Sequence, residues 1–240
     1  MAEALLDVQN VAKRFGGFRA LTEVSIQVKP GERFGLIGPN GSGKTTLINC
    51  ISGTLRNDGG RIFFQGQDIT GRPAYQRARL GIARSFQIPR PFGSMTVIEN
   101  LELSLDYAAR GRAGDDHAAA ALDILGRVGL DDKARVTSSR LTQIEMRKLE
   151  LARAMAARPA LLISDEAMAG LSSTEVDDLL AILFRLNEAG TTVIMIEHIM
   201  RAVMRFSERI VVLDAGEKIA EGTPAAVISD RAVEKAYLGE

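Results

Sequence analysis

Residues 38–46 read Gly-Pro-Asn-Gly-Ser-Gly-Lys-Thr-Thr. A glycine, four free positions and then Gly-Lys-Thr is a composition suited to wrapping phosphate. The glycines let main-chain N–H groups curl inward around an anion without a side chain in the way. A helix starting at this point aims its positive end at the same anion. In this arrangement Gly38, Pro39, Asn40, Gly41, Ser42, Gly43, Lys44, Thr45 and Thr46 make the cradle. Lys44 reaches the β- and γ-phosphates of a nucleoside triphosphate such as ATP, and the Thr45 hydroxyl is an oxygen ligand for Mg²⁺. The flanks suit this. Arg33-Phe34-Gly35-Leu36-Ile37 is a short apolar run fit for a buried parallel strand, and Thr46 to Ile51 continues as a helix. A glycine-rich loop with no ligand is the competing reading, and the complete pattern between strand and helix argues against it.

Further residues could serve the same chemistry. Leu161-Leu162-Ile163-Ser164-Asp165-Glu166 puts two carboxylates at the end of a buried strand, the edge where α/β sheets bind ligands. Asp165 is suited to the Mg²⁺ shell and Glu166 to polarising a water for in-line attack on the γ-phosphate. A solvated strand end is the plainer reading of such a pair. His198 follows the apolar run Val193–Ile196 and can donate to a γ-phosphate oxygen. Gln87 closes the strand-like run Gly81–Phe86 and offers a carbonyl to the metal and an amide to water. Phe15 is a candidate stacking platform for adenine.

The elements that must position these residues read as an α/β protein. The 240 residues suffice for one large α/β domain, and 46% hydrophobic with 25% charged residues is ordinary for a globular core. Residues 5–8 and 21–28 read as strands, with Val24, Ile26 and Val28 alternating against polar neighbours. Arg61–Gln65 is another strand, turning at Gly66-Gln67-Asp68. From about 88 to 158 the chain is rich in Ala, Leu and Arg with few strand-like runs, which predicts a helical subdomain inserted in the sheet domain. Strands then alternate with helices again: 161–164, an amphipathic helix over 174–189, a strand over 191–196, and a strand from Arg209 turning at 214–217. That alternation predicts a parallel sheet covered on both faces.

Lys+Arg and Asp+Glu are both 30, so no basic excess points to nucleic acid. Arg72, Arg77, Arg79 and Arg84 read as a solvated basic face. The lone cysteine, Cys50, reads as a small apolar core residue. The N-terminus lacks a signal-peptide pattern, and no apolar run approaches the roughly 20 residues of a membrane span.

In this order, Phe15, the loop at 38–45, Gln87, the 161–165 run, Glu166, the segment Ala169-Gly170-Leu171-Ser172 and His198 resemble the ATP-binding subunits of ABC transporters. The resemblance implies a P-loop core with an N-terminal antiparallel β subdomain, the whole spanning 4–238. It implies Mg²⁺-dependent ATP hydrolysis with Lys44, Gln87, Glu166 and His198 in the catalytic set, and Thr45, Gln87 and Asp165 around the metal. Arg14–Leu21, Ala83–Gln87, Glu197–Met200 and the ending Ala236–Glu240 are most similar to importers of branched-chain and related hydrophobic amino acids. The implied partners are a second ATPase subunit, two transmembrane permease subunits and a periplasmic or extracellular solute-binding protein, at the cytoplasmic face of the plasma membrane.

One motif departs from the family. The family's Leu-Ser-Gly-Gly-Gln signature is replaced by Leu141-Thr142-Gln143-Ile144-Glu145. Thr142 and Glu145 form a capping box that still starts a helix. Gln143 and Ile144 add side chains where main chain should approach phosphate. Glu145 adds a negative charge expected to cost on the order of 1 kcal/mol near a polyanion. An asymmetric heterodimer is therefore expected, its partner carrying an intact signature. Soluble ABC ATPases of DNA repair or translation, a non-hydrolysing regulatory subunit and a lipid exporter are the alternatives. The long coiled-coil inserts or paired cassettes of the first are missing here, and Glu166 with His198 disfavours the second.

Overall fold

The computed structural model describes residues 4–85, 89–108 and 117–238. The chain opens with a hairpin, β1 (Leu6–Phe15) and β2 (Phe18–Val28), then β3 (Arg33–Ile37) and α1 (Lys44–Ser52). After these come β4 (Gly59–Phe64), β5 (Gln67–Asp68), α2 (Ala74–Arg79) and β6 (Ile82–Ser85). Three helices follow, α3 (Val97–Ala108), α4 (His117–Val128) and α5 (Gln143–Met155). The chain then alternates through β7 (Leu161–Asp165), α6 (Ser173–Glu188), β8 (Thr192–Ile196), α7 (Met200–Phe206), β9 (Arg209–Asp214) and β10 (Glu217–Gly222). Helices α8 (Pro224–Ile228) and α9 (Arg231–Leu238) close it.

Two sheets carry the fold. Strands β2-β1-β4-β5 form a four-stranded antiparallel sheet, and β10-β9-β3-β8-β7-β6 form a six-stranded one, parallel except for β10. The expected N-terminal β subdomain and parallel core are therefore both present. The first hairpin runs further than residues 5–8 and 21–28. Register shifts between Val8 and Val11 and again near Lys13 break the period-two pattern, and Asn10 adopts a positive φ of 49°. The far half of the strand therefore does not alternate cleanly in sequence.

Side chains of the central strands alternate between two cores. Phe34, Leu36, Leu161, Ile163, Ile194 and Ile196 pack with Leu47, Ile48 and Ile51 of α1 and with the antiparallel sheet. Leu162, Val193 and Met195 pack on the opposite face with residues of α5, α6 and α7. Both faces are covered, which is why these strands read as continuous apolar runs. Cys50 is fully buried among the first group, as expected, and burial pushes its thiol up to about 11.

The basic cluster is not one solvated face. Arg79 is exposed beside Tyr75. Arg77 is 1% exposed and donates to the carbonyls of Arg72, Cys50, Ile51 and Thr70. It thereby satisfies carbonyls at the last turn of α1 that the helix itself leaves open. Arg84 points into the ligand edge of the sheet. Helix periodicity alone cannot tell an outward arginine from one recruited by another element's carbonyls.

Candidate active site

Register brings the chemistry to one edge. Leu36 pairs with Ile196, and Ile196 pairs with Asp165, so the strand ends preceding Gly38, Glu197 and Glu166 lie side by side. Gly43 sits at the start of α1 with φ 101°, and a Cβ there would lie 2.7 Å from the Ala20 carbonyl oxygen. Gly38 is as constrained, since its Cβ would meet the Leu213 carbonyl at 2.0 Å. The loop is buttressed from the β9–β10 turn, where the Gly216 N–H donates to the Ser42 carbonyl at 3.1 Å. The Tyr237 phenol of α9 is raised by burial, while a hydrogen bond with the Gly38 main chain opposes that shift. The last helix thus reaches the phosphate loop.

Lys44 is 5% exposed, and its ammonium donates to the Gly38 and Pro39 carbonyls at 2.8 and 2.9 Å. Burial lowers its pKa, and the charges of Glu166 and Asp165 act against that shift. The lysine therefore lies in the field of both predicted carboxylates. Asp165 is held by the Arg84 guanidinium at 2.6 Å, and Arg84 also donates to Asn49 Oδ1 on α1 at 2.6 Å. This arginine ties β7 to the helix behind the phosphate loop, a bond that no local sequence pattern announces.

Glu166 takes a left-handed φ of 47°, which costs of order 1 kcal/mol for a residue other than glycine. The conformation turns its carboxylate toward His198, whose Nε2 lies 2.8 Å from Glu166 Oε1. An ionised carboxylate only accepts, so Nε2 carries the proton and donates. The two predicted residues, 32 positions apart, meet directly. Glu197, beside the histidine, is 2% exposed, and its Oε1 accepts from the Met168 N–H at 2.8 Å. Burial pushes its carboxyl up to about 7, helped by the charge of Glu166 and opposed by the N–H groups of Met168 and His198 and by Arg147. In sequence Glu197 stands out only within the importer-like run Glu197–Met200, with no role at the site. It follows four apolar residues just as Asp165 nearly does, and that pattern was its available signal.

The Thr45 hydroxyl and the Asp165 carboxylate are the oxygen donors a hard cation takes. Among the described residues no cluster of three or more His, Cys, Asp or Glu could hold a metal alone. The donor set fits Mg²⁺ sharing its shell with phosphate oxygens rather than a closed protein cage. Gln87 lies outside the described residues. Phe15 is half-exposed at the β1–β2 tip beside Phe18, which is more exposed still, and the Lys13 ammonium lies 5.6 Å from its ring centroid.

The departing signature region has a definite structure. Thr142 and Glu145 form the expected capping box, the Thr142 N–H donating to Glu145 Oε2 at 2.8 Å. Glu145 does not stand as a bare charge, because its other oxygen pairs with Lys133. Burial would raise its carboxyl, but Lys133 and Thr142 hold it below the usual range. Gln143 lies across the segment after Glu166, its Nε2 donating to the Ala169 carbonyl at 3.3 Å. Ile144 is half-buried against the helical core.

The family model described as ABC transporter matches residues 21–169. The chain is 39% identical to the "High-affinity branched-chain amino acid transport ATP-binding protein LivG" of Escherichia coli, over the whole of both chains. The chain belongs to the ABC transporter ATP-binding family. A second model, for branched-chain amino acid ATP-binding cassette transporters, matches residues 217–240. A probable LivG of Archaeoglobus fulgidus is 37% identical over 98% of this chain and 95% of its own. The structure of the ADP conformation of the cassette MJ1267 superposes with a TM-score of 0.90 at 33% identity, covering 99% of this chain and 100% of that one. The dimeric cassette MJ0796 does so with 0.82 at 28% identity, covering 91% and 98%. This ABC cassette is an ATPase whose hydrolysis energises transport. Among the described residues no helix is long and apolar enough to cross a membrane.

Proposed function

We propose that this ATPase, a single cassette over residues 4–238, powers uptake of branched-chain or related hydrophobic amino acids. The substrate class is supported by the names of the full-length relatives and by the C-terminal match over 217–240. The cassette works at the cytoplasmic face of the membrane, against two permease subunits fed by a solute-binding protein. ATP is gripped by Gly38–Thr46 with its adenine on Phe15. Lys44 moves from the loop carbonyls to the β- and γ-phosphates. Thr45, Gln87 and Asp165 hold Mg²⁺, which when bound neutralises developing charge on the phosphates. Glu166 orients and deprotonates the attacking water, and His198 holds the Glu166 carboxylate in place. The observation that carries this reading is the 2.8 Å Glu166–His198 hydrogen bond at the sheet edge where Lys44 feels both carboxylates.

The partner ATPase subunit is a different chain with an intact signature. In favour of this, the start of α5 is already occupied by its own side chains: Glu145 on Thr142 and Lys133, and Gln143 on Ala169. Partner ATP facing this helix would meet a capped end. The test uses the assembled transporter, with ATP hydrolysis and labelled leucine uptake as readouts. Lys44→Ala should abolish both, and Glu166→Gln should retain Mg²⁺-ATP binding while losing turnover. Uptake untouched by Lys44→Ala would refute the ATP site. Near-normal turnover in Glu166→Gln would refute the asymmetric assignment.

A further inference from the structure

Glu197 lies where three segments converge. Its carboxylate accepts from the main-chain N–H of Met168, two residues after Glu166, and from the N–H of His198. The Glu166 N–H in turn donates to the Ile196 carbonyl at 2.8 Å, and the Ala169 N–H donates to the Glu166 carbonyl at 3.3 Å. The third segment is α5 of the helical subdomain. Its buried Arg147 donates to the Ala169 carbonyl at 3.4 Å and interacts electrostatically with Glu197. The turn that places Glu166 in its left-handed conformation is thus tied to the turn that presents His198, and both are tied to the helix beginning at the altered signature. A buried carboxylate is costly unless several hydrogen bonds satisfy it. Here the bonds it makes are to the two main-chain segments whose relative position sets the Glu166–His198 contact.

We propose that Glu197 is a positioning residue of ATP hydrolysis, clamping the Met168 and His198 main chains so that Glu166 and His198 stay within hydrogen-bond reach. The side chain is buried, with its carboxylate on main-chain N–H groups, and the inference rests on the catalytic reading of Glu166. Losing the clamp lets the segment after Glu166 drift, and a shift of about 1 Å is enough to cost of order 100-fold in rate. The phosphate loop, held by its own main chain and the β9–β10 turn, would keep its grip on ATP.

The experiment compares wild type, Glu197→Ala, Glu197→Gln and Glu166→Gln in the assembled transporter, measuring kcat, ATP KM, Mg²⁺-ATP affinity and melting temperature. Glu197→Ala should lower kcat at least 10-fold, with ATP KM and affinity within 2-fold of wild type. Glu197→Gln keeps an acceptor oxygen for the Met168 N–H and should recover most of that loss. A Glu197→Ala complex with wild-type kcat overturns the proposal. So does an equal loss of kcat in both Glu197 variants, or a loss that follows melting temperature and KM together, because either outcome describes a merely buried carboxyl. Should Glu166→Gln itself keep full turnover, the catalytic reading of Glu166 fails and Glu197 falls with it. A silent Glu197→Ala beside an inactive Glu166→Gln refutes the clamp alone.

Discussion

Arg77→Ala tests how the phosphate-loop helix is anchored. The guanidinium is 1% exposed and makes four donations, at 2.6 and 2.9 Å to the Cys50 and Ile51 carbonyls and at 2.8 and 3.0 Å to those of Arg72 and Thr70. Hydrogen bonds from a charged donor are each worth roughly 1.5–3 kcal/mol. Against this stands the desolvation of the cation, which here is strong enough to push the guanidinium pKa down. Removing the donor leaves the buried Cys50 and Ile51 carbonyls unsatisfied at roughly 1–3 kcal/mol each and weakens two more, a loss of at least about 3 kcal/mol in all. In a chain of this size each kcal/mol lowers Tm by about 2 °C, so a fall of at least ~6 °C is expected. Lysine offers one ammonium in place of a planar fork, so Arg77→Lys should fall between alanine and wild type. Thermal unfolding of the three proteins, with and without Mg²⁺-ATP, provides the comparison. A melting point for Arg77→Ala within ~2 °C of wild type would refute the claim that these four bonds, two of them to α1, tie α1 to the segment 70–77.

His198→Ala leaves Glu166 without its 2.8 Å partner. Turnover of the assembled complex should drop about 10- to 100-fold, the order expected for a misplaced catalytic group, while ATP affinity stays within about 2-fold; a loss confined to affinity contradicts it. Thr142→Ala removes one half of the α5 capping box and should cost about 1 kcal/mol, or ~2 °C in Tm, in contrast to a neutral result. Burial raises the Glu197 carboxyl from 4.5 to about 7, so the folded state binds more protons than the unfolded chain between those values. Its stabilising contribution is complete below pH 4.5 and disappears as pH rises through about 7, roughly 3 kcal/mol in all. The Tm advantage of wild type over Glu197→Gln should therefore shrink between pH 5 and pH 8, and a constant gap would contradict the raised carboxyl.

The chain by itself determined whatever is decided between near neighbours. The phosphate loop depends on glycines within eight positions, the buried strands on unbroken apolar runs, and the starts of α5 and α6 on a hydroxyl and a glutamate three residues apart. Strand ends told where Asp165, Glu166 and His198 would gather, because parallel strands bring their carboxyl ends to one edge. Tertiary structure decided which buried charge meets which partner. Arg77 reaches carbonyls up to 27 residues away, Glu197 an N–H 29 away, and Arg84 a carboxylate 81 away. Lys133 answers Glu145 across 12 residues, pairing the negative charge that the sequence places near the phosphates. An amphipathic pattern records how far a side chain is from the core on average. It holds no record of a long polar side chain that another element has drawn inward to fill its open hydrogen bonds.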